Sequence, residues 1–303
     1  MTLISTRHRL LLRKFRHNRA AVAGLVVFGL LLACVLAGPL VWQVCIADID
    51  FTSRLEGPSA THPLGTDDMG QDLLARLLFG GRISLAVGVA AALVATVIGI
   101  LIGACAAYGP RWLDLALMWF TDLFLSLPNL PLLLVVMYFF REAMRAAFGV
   151  TLGTFFLIVL VVGALSWMAI ARVVRAQLIS LKQREFIEAA ATIGVPGWRL
   201  VLFHMLPNVM GPILVLATIE VAVAIIAESS LSFLGLGFPS DVPTWGRLLY
   251  ESRDYVDVAP HWALFSGGAV FLVVLSVNFI GDGLRDAFDP KSSALTRSEL
   301  KGK

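Results

Sequence analysis

The sequence predicts an all-α integral membrane protein, a bundle of six membrane-crossing helices, and three observations carry that expectation. First, 58% of the 303 residues are hydrophobic and only 15% charged, with a mean hydropathy of +0.84; a soluble domain is about 25% charged and 45–50% apolar. A globule of this length has too little interior to hide that much apolar surface from water. Second, the apolar residues gather into stretches of roughly 20 residues or more, the length a helix needs to cross hydrocarbon. Third, nearly all charged residues fall between those stretches. The net charge of +3, from 24 Lys/Arg against 21 Asp/Glu, is too even for a nucleic-acid partner.

The elements follow in order. Residues 1–19 form a basic N-terminal segment and 20–42 an uncharged first span. Leu31-Leu32-Ala33-Cys34 has the look of a cleavage box, but a long charged segment before it and further spans after it favour a retained helix. The loop 43–82 contains turn signals at Gly57-Pro58 and His62-Pro63. A short amphipathic helix follows, with Met69, Leu73, Leu74, Leu77 and Leu78 on one face and Asp72 and Arg76 on the other. Thr66 or Asp67 is placed to cap it. The second span, 83–108, carries Gly99 and Gly103 in a GxxxG spacing that permits close helix approach.

The third span, 115–140, holds Asp122 and is expected to bend at Pro128 and Pro131. The fourth is 146–171, and the basic loop 172–207 follows. The fifth span, 200–227, contains Glu220, and Glu228 ends it. Residues 229–240 are too short to cross and too apolar for an ordinary loop, so a re-entrant or interfacial segment is expected. The sixth span is 262–281, with a tail at 283–303. Together 20–282 form one transmembrane domain. Seventeen of the Lys/Arg fall in segments on the side of the N-terminus and seven on the other, which puts both termini in the cytoplasm. Three cysteines give no disulfide framework. Trp167, Trp198, Trp245 and Trp262 read as interfacial anchors, and His62 and His261 are too far apart in sequence to suggest a metal relay.

The loop 172–207 is the most informative stretch. Phe186 to Gly194 reads as a short helix stopped by glycine, Pro196 blocks its continuation, and a second helix with Pro207 in its path enters the membrane. Small residues, with Phe186, Ile187 and Ile193 as an apolar anchor, suit insertion into a partner's groove. A solvated basic loop is the plainer alternative. Intramembrane carboxylates are functional candidates by default, which selects Asp122, Glu220 and Glu228 as pathway residues; a structural pair or helix-end role is the alternative for Asp122 and Glu228.

Glu188-Ala189-Ala190, then Gly194, then His204-Met205-Leu206-Pro207 resembles the EAA loop of binding-protein-dependent ABC importer permeases. His62 to Asp72, Glu228 to Gly237 and Gly281 to Pro290 are similar to further signatures of the dipeptide/oligopeptide/nickel branch, in its C-type subunit. Gln71 stands where that branch usually has Arg, and His204 where the loop usually has Ile.

The resemblance implies a type I importer-like bundle with a cytoplasmic coupling helix. It implies coupling to the ATPase through Phe186, Glu188, Ala189, Ala190, Gly194 and Pro207. The partners it implies are a second permease subunit, two ATP-binding subunits, a solute-binding protein and membrane lipid. The chain has no Gly-x-x-x-x-Gly-Lys-Ser/Thr loop, so no cofactor is expected on it, and ATP and magnesium are expected on the partner subunits. Small peptides are the preferred cargo, with nickel or glutathione-type cargo in the same family as alternatives. A secondary transporter or an intramembrane enzyme would belong to other classes; the first needs paired halves, and the second a nucleophile facing a base.

Overall fold

Asn18 starts the first membrane helix: its side chain accepts from the Ala21 amide and caps α1, Arg19–Val41. The computed structural model describes residues 13–288. The basic residues Arg7 and Arg9, the end of the C-terminal motif (Asp289 and Pro290) and the tail beyond it lie outside the described residues. Pro39 inside α1 has no N–H for the Val35 carbonyl. The Arg82 guanidinium donates to that oxygen at 3.0 Å and to the Leu36 oxygen at 2.8 Å. The backbone group that proline strands is thus satisfied from the neighbouring span.

The second helix, α2, runs unbroken over Leu73–Tyr108, capped by the Asp72 side chain on the Ala75 amide. Here the structure corrects the sequence reading twice. The expected amphipathic surface helix is the first turns of α2 itself, and neither Thr66 nor Asp67 caps it. Arg76, expected on a wet face, is buried. The GxxxG works as its spacing suggests: a Cβ at Gly99 would come within 2.7 Å of Ile170, and one at Gly103 within 2.6 Å of the Ala171 oxygen. Both glycines therefore let α2 press against α6, Met168–Lys182.

The third and fourth spans are each broken. Helices α3, Arg111–Ser126, and α4, Asn129–Phe148, meet at Leu127-Pro128 with a 93° bend. Helices α5, Val150–Ala164, and α6 meet at 44°, where Leu165 and Ser166 donate to carbonyls three residues back and leave the α-helical ladder. The proline break was legible; the second break has no proline. Residues 172–182, expected in a loop, continue the fourth span as helix, so the loop proper is confined to 183–199.

Helix α7, Glu185–Thr192, lies in that loop. A short turn, Gly197–Arg199, and a π-helical turn, Leu200–Met205, lead into α8, Leu206–Phe233. The expected re-entrant segment is the last turn of α8 followed by a tight turn. The Leu236 amide donates to the Leu231 oxygen at 2.9 Å and Gly235 has φ +80°, a glycine-closed helix end. The chain then enters the core through Phe238 and Val242 and forms α9, Trp245–Ser252, and α10, Pro260–Phe288. Among the described residues, four helices are long and apolar enough to cross a membrane singly, and the two bent pairs raise the number to six.

The helices α10 and α1 pack along each other, as do α2 with α6 and α8 with α10. Asn18 Nδ2 joins the two outer helices to the C-terminal motif by donating to Asp286 at 2.9 Å. Trp167, Trp245 and Trp262 are core residues with 4%, 1% and 1% of their surface exposed, not interfacial anchors; only Trp198 of that set is exposed. The exposed tryptophans Trp112 and Trp119 lie on α3 instead. Cys34, Cys45 and Cys105 are free thiols.

Candidate functional site: the two ends of the bundle

At the α7 end, the Glu185–Thr192 helix begins with Glu185 and Glu188 in its first turn, where a helix N-terminus favours negative charge. Its end is closed by the Ile193 amide on Ala189 and the Val195 amide on Ala190, both at 3.2 Å. Gly194 makes the reversal with φ +85°, a conformation that costs a residue with a Cβ roughly 1–2 kcal/mol. One face of the helix is anchored: Ile187 is 2% exposed, and it and Ala190 pack with Val174, Leu178, Leu200 and Met205. The other face is open. Phe186, Glu188 and Ala189 are exposed, as are Pro207 and His204 beyond them. Ile193, Trp198 and Phe203 present apolar surface that nothing in this chain covers among the described residues. A concavity of about 580 Å³ runs beside them, lined by Ile193, Gly194, Val195, Pro196, Arg199, Phe203 and His204.

The base of this knob is tied to three spans. Lys182 donates to the Ala107 oxygen and lies 4.4 Å from the centre of the Tyr108 ring. On the other flank of the loop, any Cβ at Gly197 would collide with the same ring. Tyr108 therefore stands between the entry and the exit of the loop, at the end of α2. Arg175 forms a two-pronged pair with Asp114, with Nη2 at 2.6 Å from Oδ2, and Arg172 pairs with Asp122. Both pairs lace α6 to α3. In sequence these arginines are loop charges without a local partner; the fold supplies the partners from α3.

At the opposite end, the 62–72 loop is folded around buried charge. Asp67, fully buried, accepts from the Met69 and Gln71 amides at 2.9 and 2.8 Å and pairs with Arg76. Arg76 Nη2 reaches Glu251 at 3.0 Å, and Glu251 also binds Arg247 at 2.7 Å. Asp72 accepts from Trp42 Nε1 at 3.0 Å and lies 2.9 Å from His62 Nδ1. Gln71 contributes its backbone to this loop, donating to Asp67 and accepting from its amide at 3.1 Å. Gly70 has φ +76°, and a Cβ there would collide with the Asp50 carbonyl. His261 packs against Gly65. Outside the spans, Asp50 accepts from Ser53 Oγ at 2.6 Å and from Thr52 Oγ1 and amide at 2.6 and 2.9 Å. These bonds, that of Ser53 foremost, lower its carboxyl to about 2.

The three intramembrane carboxylates separate. Glu228 is completely buried and accepts from Ser84 at 3.2 Å and Ser232 at 2.8 Å, while Ser84 Oγ accepts from the Trp245 amide at 3.3 Å. It knits α2, α8 and the start of α9. Asp122 is half-exposed and paired with Arg172. Glu220 is 9% exposed and neighbours Ser166 at the break between α5 and α6. The structure brings none of the three together with another.

A bundle of membrane helices with a locked end and an opposite end bearing an exposed, apolar helical knob defines the class: a transport subunit that spans the membrane and engages a separate protein. Residues 79–294 match the family described as the binding-protein-dependent transport system inner membrane component. Residues 6–58 match the N-terminal transmembrane domain of oligopeptide transport permease C. The chain belongs to this family and is a multi-pass inner-membrane permease subunit of an ABC importer, not an enzyme.

It is 42% identical over 281 residues to a putative peptide permease protein of Brucella suis, covering 92% of this chain and 89% of that one. It is 38% identical over 281 residues to the oligopeptide transport system permease protein OppC of Haemophilus influenzae, covering 92% and 87%. The dipeptide transport system permease protein DppC of Alkalihalophilus pseudofirmus is 36% identical over 279 residues, covering 92% and 88%.

Proposed function

We propose that this chain forms half of a translocation pathway for small peptides, paired with a second permease subunit and driven by two ATP-binding subunits that hold the ATP and magnesium. A solute-binding protein delivers the peptide to the end that carries the 62–72 loop. The α7 end and both termini face the cytoplasm, as the excess of Lys/Arg on that side favours. Peptide cargo is supported by relatives named as peptide, oligopeptide and dipeptide permeases.

The exposed α7 knob is the observation that carries the reading. An apolar helix at the end of a bundle, anchored on one face and bare on the other, suits a groove in another protein. Phe186, Glu188, Ala189 and Gly194 make the inserted wedge, Ala190 holds it to the bundle on the anchored face, and Pro207 starts the span that it moves. Closure of the ATPase dimer pushes the wedge. The push passes to α2 through Lys182, Tyr108 and Gly197, and the Asp114–Arg175 and Asp122–Arg172 pairs carry it to α3. ATP and loaded binding protein act by favouring different states of the bundle. On this reading Asp122 is a lacing residue, Glu228 holds the outer end together, and Glu220 is the carboxylate placed to line the path.

Uptake into vesicles tests this. The full complex is expected to accumulate dipeptide only with ATP and binding protein, and Glu188→Arg and Gly194→Pro to lose uptake while leaving this chain folded. Normal transport by both assembled variants, or uphill accumulation by this chain alone, would overturn the reading.

A further inference from the structure

The face of α4 that sends Leu133 and Met137 into the core continues to Arg141, Met144 and Arg145. Met144 packs against the core cluster that also holds Phe238 and Val242. Arg141 and Arg145 are partly buried. Arg141 Nε and Arg145 Nη2 are sealed from solvent and have no hydrogen-bond partner.

The polar surroundings do not neutralise them. Arg145 Nε reaches Thr154 Oγ1 at 3.4 Å, and its Nη1 stands 4.0 Å from Glu142, a side chain 86% exposed. The charged neighbours of Arg141 are Arg145, Glu142 and Arg247. Arg247 is bound to Glu251, and Glu251 is shared with Arg76, itself bound to Asp67. Of the carboxylates in this set, Glu251 and Asp67 are already engaged and Glu142 is turned to water, so none of them is left for Arg141. An uncompensated guanidinium drawn into a membrane bundle is costly and marks a ligand or a pathway. The planar fork of arginine fits a carboxylate through two parallel hydrogen bonds. The Arg247–Glu251–Arg76–Asp67 chain places the cluster at the end where the binding protein releases its cargo.

We propose that Arg141 and Arg145, with Arg247 beside them, form a carboxylate-binding site at the outer mouth of this bundle, and that it takes the free C-terminal carboxylate of the peptide. The site rests on the peptide reading above. It recognises a group that every unblocked peptide carries whatever its side chains, which suits a permease that leaves side-chain choice to its binding protein. A carboxylate held on the guanidinium edges that remain open would supply the counter-charge that this chain leaves missing.

Binding of dialanine and of dialanine amide to the whole complex in nanodiscs, without binding protein, tests the site, with ATP-driven dialanine uptake as the parallel readout. The wild type is expected to bind dialanine about tenfold more tightly than the amide, the worth of a charge-assisted pair. Arg141→Gln and Arg145→Gln should erase that preference by weakening dialanine alone. Arg145→Lys, which keeps the charge and loses the fork, should retain part of it. Equal affinity for the two ligands in the wild type overturns the site, as does an equal loss of both in the Gln variants, which would assign the arginines to folding or to an acidic group of the partner subunit or a lipid. Wild-type vesicles that import dialanine without this preference would sink the site and leave the peptide reading standing; vesicles that import no peptide would sink the reading itself.

Discussion

The two ends of this bundle are built on opposite principles. The 62–76 and 240–252 end is closed by charge: Asp67, Arg76 and Glu251 are almost wholly inside and satisfy one another. The 185–199 end is held by one buried isoleucine and a few apolar neighbours, and shows Phe186, Ile193, Trp198 and Phe203 to whatever lies beyond. Its charges sit at its base, in pairs that are partly exposed. The Asp67–Arg76–Glu251 lock is completed within this chain, whereas the second end leaves an apolar face that no described residue covers. Both ends use glycines with positive φ, but in different surroundings: Gly70 faces the Asp50 backbone, and Gly194 has nothing within 4 Å.

The contrast can be broken most severely at Arg76. Arg76→Leu leaves Asp67 buried without its cation, a change worth about 3–5 kcal/mol. It should lower the thermal unfolding midpoint of the purified complex more than any change in the 185–199 knob, and a midpoint within a degree or two of wild type would show that the outer lock carries no weight. The glycines sharpen the comparison. Gly194→Ala carries only the roughly 1–2 kcal/mol of its backbone conformation, whereas Gly70→Ala adds a collision with the Asp50 carbonyl. Thermal unfolding should rank Gly70→Ala as the more damaging; the reverse order would mean that the knob is packed rather than open.

Tyr108→Ala removes the post between Lys182 and Gly197. Its cost in stability should be small, about 0.5–1 kcal/mol for the lost cation contact, while uptake per ATP hydrolysed should fall. An unchanged ratio would take Tyr108 out of the transmission. The smallest effect is expected at Asp50. Its folded carboxyl titrates at about 2, below the ordinary 3.8. The stabilisation it lends the loop is therefore complete above the ordinary value and lost as pH falls toward about 2. Amide exchange over 50–56 should show an acid-side loosening that Asp50→Asn abolishes; an identical acid response in the variant would assign the loosening elsewhere.

The sequence displayed much of this plan, and the parts it hid have physical reasons. Spans were legible because hydrocarbon demands long apolar runs, and α1 begins and ends within a residue of its expected limits. The Gly99/Gly103 contact was legible because only a missing side chain permits such approach. The knob was visible in its glycine stop and flanking proline. The outer lock was not, because Asp67 finds Arg76 nine residues on and Arg76 in turn finds Glu251 on another helix, and no local pattern reports a pairing across the chain. A signal was present all the same: Arg76 sits among leucines next to an uncharged span, where an isolated cation needs a partner. Trp245 and Trp262 misled because tryptophan near a span end suits an interface and a core equally well. The break at Leu165–Trp167 left no proline to announce it.

Among the site candidates, Glu228 is visible in sequence as a charge at the end of an apolar run, but its three-helix hydrogen-bond role needs Ser84, which periodicity alone does not single out. Arg141 and Arg145 look like ordinary loop-side charges in sequence, since their lack of partners appears only in the folded chain.

The central claim is that the bare face of α7 is where a motor protein docks while the charge-locked end stays as it is. Hydrogen–deuterium exchange over the whole chain, in the permease pair with and without its ATP-binding subunits, addresses this most directly. Added ATPase should slow exchange over 185–199 and leave 62–76 unchanged. Protection appearing elsewhere, with 185–199 exchanging as fast as before, would contradict the account.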